Sequence, residues 1–219
     1  MIYRFFILLI PFFSLYGQTD ARSPKILDDM IAKLKAYPSV QLNFSAKVTR
    51  LQEQSETTEN GKIWLKNNKY KLELLPENIL YFNGVKLYQY MPEVKEVNVT
   101  QPDINEDDET VRMFNPASFF RLTSDNFKSN LVKESRQYNR QVYEIDLYPI
   151  HLKTTGYSRI RLFIERESLQ LVYLKAYMKN GVQYALHFEP YRVLPNLPDT
   201  FFEFPANLHP EVEIIDLTF

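Results

Sequence analysis

The pattern of apolar and polar residues predicts one helix followed by a series of strands. Apolar residues recur at three- and four-residue spacing from Ile26 to Leu34, which is typical of an amphipathic helix. Ser23 fits the N-cap, Pro24 fits the first helical position, and Pro38 predicts the end of the helix. From Val40 onward the period changes to two, which predicts strands with one apolar face.

The same alternation returns in short segments that predict nine to eleven strands. Asn-Gly pairs at Asn83 and Asn180 each join two of these segments, and Asn-Gly favours the positive φ angles of a type I′ hairpin turn. The short connections favour an antiparallel meander whose apolar face must be covered by something apolar or helical. The clearest predicted strands are 40–49, 63–65, 70–75, 79–82, 85–90, 143–147, 160–164, 172–178, 182–188 and 212–217.

The segment between residues 100 and 125 interrupts the alternation. It carries an acidic run at 103–109 and then a short helix predicted from Asn115, with Pro116 at its first position. Three phenylalanines accompany this helix. They fit a plug or lid over the apolar face of the sheet, and they fit equally well a crossover helix that seals a dry core.

The first seventeen residues predict export from the cytosol. Arg4 precedes an apolar run from Phe5 to Tyr16, and Gly17 offers a small residue for signal peptidase. The run is shorter than the roughly 20 apolar residues that a membrane-spanning helix needs. We therefore expect a signal peptide over residues 1–17, a single domain over residues 18–219 and a periplasmic location.

Composition narrows the class of protein. The 219 residues carry 26 basic and 27 acidic side chains, a net charge of −1, so the balance gives no reason to expect a nucleic-acid partner. The absence of cysteine means that the fold must rest on its apolar core instead of on disulfides. Fifteen Tyr and sixteen Phe against five Gly indicate large β-surfaces instead of glycine-rich phosphate loops.

Motifs for catalysis are not found in the sequence. The three histidines lie at unrelated spacings, so we predict no metal site. The sequence has no GxSxG, no SxxK and no cysteine nucleophile, and nothing marks a pair of catalytic carboxylates, although such a pair need not be close in sequence. We therefore expect a binding protein that is not an enzyme and uses no cofactor.

Five local motifs occur in an order that resembles a known family. They are FSAKV at 44–48, GKIWLK at 61–66, NGVKLYQYMP at 83–92, NPASFF at 115–120 and FFEFP at 201–205. Together with the opening helix, they make the chain similar to LolA, the periplasmic carrier of outer-membrane lipoproteins, and to the related receptor LolB. The resemblance implies an unclosed antiparallel β-barrel, a half-barrel of about eleven strands, with a helical lid over a hydrophobic cavity.

The resemblance also implies partners and a function. A protein of this kind carries acylated lipoproteins or lipids as a monomer, receives them from an inner-membrane ABC transporter and passes them to an outer-membrane receptor. Two alternatives stay open. A LolB-like receptor is disfavoured because the chain has no cysteine for a lipid anchor, and a periplasmic sensor or scaffold could use the same fold.

The expected site residues follow from strand parity and from the resemblance. The family's arginine that ties down the lid is replaced here by Asn67, so we expect weaker closure. The predicted lid residues are Met113, Phe114, Phe119 and Phe120, with Phe120 opposite Leu174. The predicted cavity residues are Leu42, Phe44, Leu65, Leu72, Ile145, Leu162, Leu174, Tyr184 and Leu186.

Overall fold

The structure, a computed structural model, describes residues 21–74, 78–102, 127–151 and 155–218. Within these ranges the chain forms one α-helix and thirteen strands. In chain order they are α1 (Arg22–Lys35), β1 (Ser39–Arg50), β2 (Ser55–Lys66), β3 (Lys69–Leu74), β4 (Asn78–Phe82), β5 (Leu87–Met91), β6 (Glu96–Thr100), β7 (Phe127–Gln137), β8 (Arg140–Pro149), β9 (Tyr157–Glu165), β10 (Leu171–Met178), β11 (Val182–Phe188), β12 (Arg192–Leu194) and β13 (Glu213–Asp216).

All thirteen strands belong to one sheet. Its order is β13-β6-β5-β4-β3-β2-β1-β11-β10-β9-β8-β7, and β12 pairs with the beginning of β1. The outermost strands β7 and β13 are not paired with each other, so the described sheet is open. The predicted fold class, mainly β with an unclosed half-barrel, is confirmed. The predicted helical lid lies outside the described residues.

Two details of the sheet differ from the predictions. The described sheet has thirteen strands, whereas nine to eleven were predicted from alternation. The last strand, β13, runs parallel to β6, with Ile214 opposite Val97, so the sheet is not wholly antiparallel. The other pairs are antiparallel, because short turns join most consecutive strands.

Helix α1 packs its apolar stripe on one face of the sheet. Leu27, Met30 and Ile31 are buried, as the three- and four-residue spacing predicted. The predicted N-cap is wrong: the helix begins at Arg22, and the hydroxyl of Ser23 instead lies 2.9 Å from that of Ser129 on β7. No helix within the described residues is long and apolar enough to cross a membrane.

The type I′ turn predicted at Asn83-Gly84 is wrong, although the hairpins at both Asn-Gly pairs exist. At the first pair the φ of Gly84 is +97°, whereas Asn83 is not left-handed. The carboxamide oxygen of Asn83 accepts the backbone N–H groups of Val85 (3.0 Å) and Lys86 (2.9 Å). This Asn side chain therefore closes a longer loop than a two-residue turn, and β5 begins only at Leu87.

The two faces of the sheet bury different partners. The face that packs on α1 is called here the inner face, and the opposite face is called the outer face. The C-terminal segment, residues 195–212, crosses the outer face of the sheet between β2 and β5 and leads into β13 beside β6. There the ring centroid of Phe204 lies 6.2 Å from that of Tyr81 and 5.1 Å from that of Tyr90. A second apolar cluster therefore forms behind the first.

Candidate functional site

One row of apolar side chains crosses six neighbouring strands of the inner face. Each member lies directly opposite the next in the strand register, so the row has no polar interruption. Four of its six members are predicted cavity residues. In order across β1, β11, β10, β9, β8 and β7, the row is Ala46, Leu186, Leu174, Leu162, Ile145 and Leu131.

The inner face continues across the other half of the sheet. Leu42 lies opposite Ile63, which lies opposite Leu72. Leu65 lies opposite Tyr70 in the next row. Since side chains alternate between faces along a strand, these partners share the face of the six-strand row. Leu72 in turn lies opposite Leu80 of β4, so the apolar surface extends from β7 to β4.

The structure brings all nine predicted cavity residues together in one apolar cluster. Eight of them are buried, and Tyr184 is half-buried against the same cluster. Leu27, Met30 and Ile31 of α1 belong to it as well, so the protein itself covers part of the inner face. The same side chains could pack within the protein's own core or against a ligand, so their burial does not distinguish the two. Contact of these residues with a ligand therefore stays a prediction.

Gly61 has a steric role on the inner face. Phe44 and Gly61 lie opposite each other on β1 and β2. A Cβ atom at Gly61 would lie 2.4 Å from Cζ of Phe44 and 2.8 Å from the backbone oxygen of Glu73. The glycine of the GKIWLK motif therefore leaves room for the Phe44 ring, which packs 6.3 Å from that of Phe188.

Buried tyrosines keep polar groups on this face uncharged. Burial raises the pKa of Tyr70, whose ring centroid lies 5.3 Å from that of Phe82. Burial also raises the pKa of Tyr191, beside Tyr37. Both phenols, neutral at physiological pH like any tyrosine, therefore stay neutral above their ordinary pKa of about 10 as well, because a phenolate would be poorly solvated there.

The lid tether predicted at Asn67 lies in the turn between β2 and β3. Asn67 is exposed there, with φ of +51°. Its neighbour Lys66 holds the C-terminal segment: the ammonium donates to the backbone oxygen of Leu197 (2.6 Å) and to Asp199 (2.8 Å). Sequence reasoning missed this contact, since no local pattern links residues 133 positions apart. The lid residues Met113, Phe114, Phe119 and Phe120 lie outside the described residues.

Two buried acidic side chains on the outer face were also missed. Asp146 is 2% exposed and accepts from Nε and Nη2 of Arg161 at 2.7 and 2.8 Å. Glu144 is equally buried and accepts from the hydroxyl of Ser135. Both acids are satisfied by partners on neighbouring strands, so they hold β7, β8 and β9 together. Among the described side chains no cluster of three potential ligands could hold a metal ion.

Comparison with known proteins gives the fold. No family model matches the chain, and no curated protein matches its sequence. Solved structures do match. One is an uncharacterized conserved protein from Thermus thermophilus, with 10% identity over 88% of this chain and 97% of that chain and a TM-score of 0.57. The chain shares its fold.

Solved structures of proteins from named families also match the chain, at TM-scores below 0.5. The matched structures include a LolA superfamily protein from Nitrosomonas europaea, with 13% identity over 82% of this chain and 96% of that chain and a TM-score of 0.42. They also include a DUF1329 family protein from Desulfovibrio piger, with 13% identity over 83% and 96% of the two chains and a TM-score of 0.49.

Proposed function

We propose that the chain is a periplasmic carrier that binds acyl chains of lipoproteins or lipids on its inner face and moves them toward the outer membrane. In this proposal residues 1–17 are a signal peptide and residues 18–219 are the carrier. An inner-membrane ABC transporter loads it, and an outer-membrane receptor accepts its cargo.

The observation that carries the proposal is the six-strand apolar row of the inner face. Its two neighbouring rows on β8 to β10 are also apolar, with Leu147 opposite Ile160 and Tyr143 opposite Ile164. The surface is therefore broad and apolar, its side chains are largely buried in the structure, and the sheet that carries it is not closed into a barrel. An acyl chain needs an apolar surface of this kind and little hydrogen bonding.

Energetics explain why such a surface would be an open sheet. Full burial of a 16-carbon chain is worth up to about 12 kcal/mol, at about 0.8 kcal/mol per CH₂ group. A closed cavity that gained this full free energy of burial would release its cargo too slowly. An open face gains only part of that free energy, so transfer to an acceptor that binds the acyl chain more tightly is favourable. Loading needs work from outside, since the sequence has no nucleotide-binding motif.

The test compares two adjacent positions on β11 that point to opposite faces. Leu186→Glu places a charge in the six-strand row, whereas Ala185→Glu places the same charge on the outer face. We expect Leu186→Glu to weaken binding of a fluorescent C16 fatty-acid probe at least tenfold, because a buried carboxylate costs several kcal/mol. Ala185→Glu should bind like the wild type.

A second variant covers the case in which Leu186→Glu fails to fold. Ala46→Phe adds only apolar volume to the same row, so it should displace part of the acyl chain and keep the circular dichroism spectrum. Native mass spectrometry of wild type from its own periplasm should show bound lipid or lipoprotein. No probe binding by the wild type, or equal losses in Leu186→Glu and Ala185→Glu, would refute the carrier and favour the sensor or scaffold.

A further inference from the structure

The six-strand apolar row of the inner face ends at a carboxylate. Ala46, its last member on β1, lies directly opposite Glu59 on β2. A Cβ atom at Gly61, two residues further along β2, would meet the ring of Phe44 on the inner face, so Glu59 lies on that face as well. The row therefore passes from six apolar side chains to one acidic side chain without leaving the inner face.

Exposure to solvent rises along the row toward this carboxylate. In order across β8, β9, β10 and β11, the exposed fractions are 0% for Ile145, 0% for Leu162, 6% for Leu174 and 9% for Leu186. Ala46 on β1 is half-buried, and Glu59 on β2 is exposed. Helix α1 lies at the buried end, where it contacts β7. The row is therefore closed near β8 and open near β2, so the polar head of a ligand belongs beside Glu59.

Glu59 has no partner among the described residues. Its carboxylate makes no hydrogen bond or ion pair with them, whereas Glu56 on the outer face of the same strand is paired with Lys47 at 2.6 Å. The described inner-face side chains nearest to Glu59 along β1 and β2 are uncharged; they are Phe44, Ala46, Val48 and Thr57. A carboxylate with no cation beside it attracts a positively charged group of a ligand.

The length of the row suits a long acyl chain. Five strand spacings separate β2 from β8, which gives about 24 Å at about 4.8 Å per strand. A chain that crosses the strands from Glu59 would lie on apolar side chains along its whole length. The opposite direction would bring the polar head to the buried end of the row, which costs free energy unless the head finds hydrogen-bond partners there.

An amphiphile with an ammonium group matches both the apolar row and the carboxylate at its end. We infer that the inner face holds acyl cargo in one direction, with an ammonium group of the cargo beside Glu59 and the methyl ends of its chains toward β8. This inference rests on the carrier proposed above and adds the charge of the cargo's head to it. Two sources supply this chemistry: the amine of a phospholipid head group and the free α-amino group of a diacylated lipopeptide.

The test compares two C16 probes of opposite charge, hexadecylamine and palmitate, by calorimetry below their micellar concentrations. We expect Glu59→Gln to lower the ratio of hexadecylamine affinity to palmitate affinity about fivefold, the size of effect that one partly exposed ion pair gives. The matched control is Glu56→Gln, which removes the same charge from the outer face of the same strand and should keep the ratio close to that of the wild type. Both glutamates are exposed, so both variants should stay folded, which circular dichroism checks.

The outcomes separate this inference from the carrier. If both probes bind the wild type but Glu59→Gln leaves the ratio unchanged, or lowers it no more than Glu56→Gln does, the inference is overturned and the carrier stands. If neither probe binds the wild type, the carrier itself fails. A nitroxide on the terminal carbon of hexadecylamine gives the direction: it should broaden the methyl NMR signals of Ile145 and Leu162 more than that of Ala46, and the reverse pattern would overturn the inference.

Two natural head groups separate the sources of the ammonium group. The probes are phosphatidylethanolamine and a dipalmitoylglyceryl-cysteinyl peptide with a free α-amino group, each compared with its N-acetylated form. For at least one of them, acetylation should weaken binding to the wild type and not to Glu59→Gln, and the probe that shows this loss identifies the source. If acetylation weakens the binding of neither probe, the inference is overturned.

Discussion

Gly61 leaves no room for a side chain on the inner face, so adding a single methyl group there should lower the stability of the fold. In Gly61→Ala the new Cβ would lie 2.4 Å from Cζ of Phe44 and 2.8 Å from the backbone oxygen of Glu73, so the ring and the strand must both shift. We expect a loss of about 1 to 3 kcal/mol in the free energy of unfolding, measured by urea titration.

A double mutant separates the two clashes at Gly61. Phe44→Leu removes the ring but leaves the carbonyl of Glu73, so Gly61→Ala should cost less in that background without becoming neutral. If Gly61→Ala costs the same with and without the Phe44 ring, the ring is not what requires glycine there.

Tyr81 should make the protein sensitive to alkaline pH. Burial, and to a smaller extent Glu73 and Tyr90, raises the pKa of Tyr81 to about 12. In the unfolded chain its pKa is about 10. The contribution of Tyr81 to stability is therefore complete below about pH 10 and is lost as the pH rises through about 12. Tyr81→Phe should make stability fall less steeply across this window, as measured by thermal unfolding.

Tyr138→Phe gives a comparison for the alkaline prediction, because it makes the same substitution at a side chain that is 53% exposed. The pH profile should flatten more in Tyr81→Phe than in Tyr138→Phe. A profile for Tyr81→Phe that matches the wild type would show that other groups govern alkaline unfolding.

Single residues show what sequence could and could not reveal about the site. The nine predicted cavity residues could be placed on one face from the alternation of apolar and polar residues, because burial on one face of a strand imposes a period of two on apolar residues. Asp146 and Glu144 gave no such signal, since a buried acid and a solvated acid look alike until the partner strand is known.

Among the elements, the C-terminal segment depends on ion pairs at its start. Asp199 lies 2.8 Å from the ammonium of Lys66 and 2.7 Å from that of Lys69, and these bonds lower its pKa to about 2. Their contribution is complete above the ordinary pKa of about 3.9 and is lost as the pH falls through about 2. Asp199→Asn should therefore flatten the fall in melting temperature between about pH 4 and 2.

The matched control for Asp199 lies in the same segment. Glu203 is exposed and accepts only a 3.4 Å hydrogen bond from Asn83. Asp199→Asn should flatten the acid profile more than Glu203→Gln does. An unchanged profile in Asp199→Asn would mean that other contacts hold the segment, such as the Lys66–Leu197 hydrogen bond and the packing of Phe201 on Trp64.

Strands were predictable where one face is buried and were missed where it is not. In β1, β10 and β11 alternation is regular, and the predicted strands match the observed ones within one or two residues. The first half of β2, at 55–60, is polar and largely exposed, so it has no apolar period. In β7 the register shifts between Leu131 and Lys133, which breaks the alternation. The parallel pairing of β13 depends on a distant partner that local patterns do not reveal.

The whole molecule places two apolar clusters on opposite faces of one sheet. The inner cluster contains the six-strand row and α1, and the outer cluster contains Tyr81, Tyr90, Val97, Val99 and Phe204. They share strand β4, which carries Phe82 of the inner cluster and Tyr81 of the outer one, so both should contribute to one cooperative unfolding transition. Only the inner cluster, however, should respond to acyl chains.

Phe204 tests whether the two faces are independent. Phe204→Ala removes a buried ring from the outer cluster, which should cost about 3 to 5 kcal/mol in the free energy of unfolding. The control is Leu208→Ala in the same segment, which is 70% exposed and should cost less than about 0.5 kcal/mol. The affinity for the C16 probe, measured well below the melting temperature, should be the same in both variants and the wild type. A weaker affinity in Phe204→Ala alone would show that the C-terminal segment sets the shape of the inner face. The loss of packing at Phe204 would then reach the inner face through the strands of the sheet.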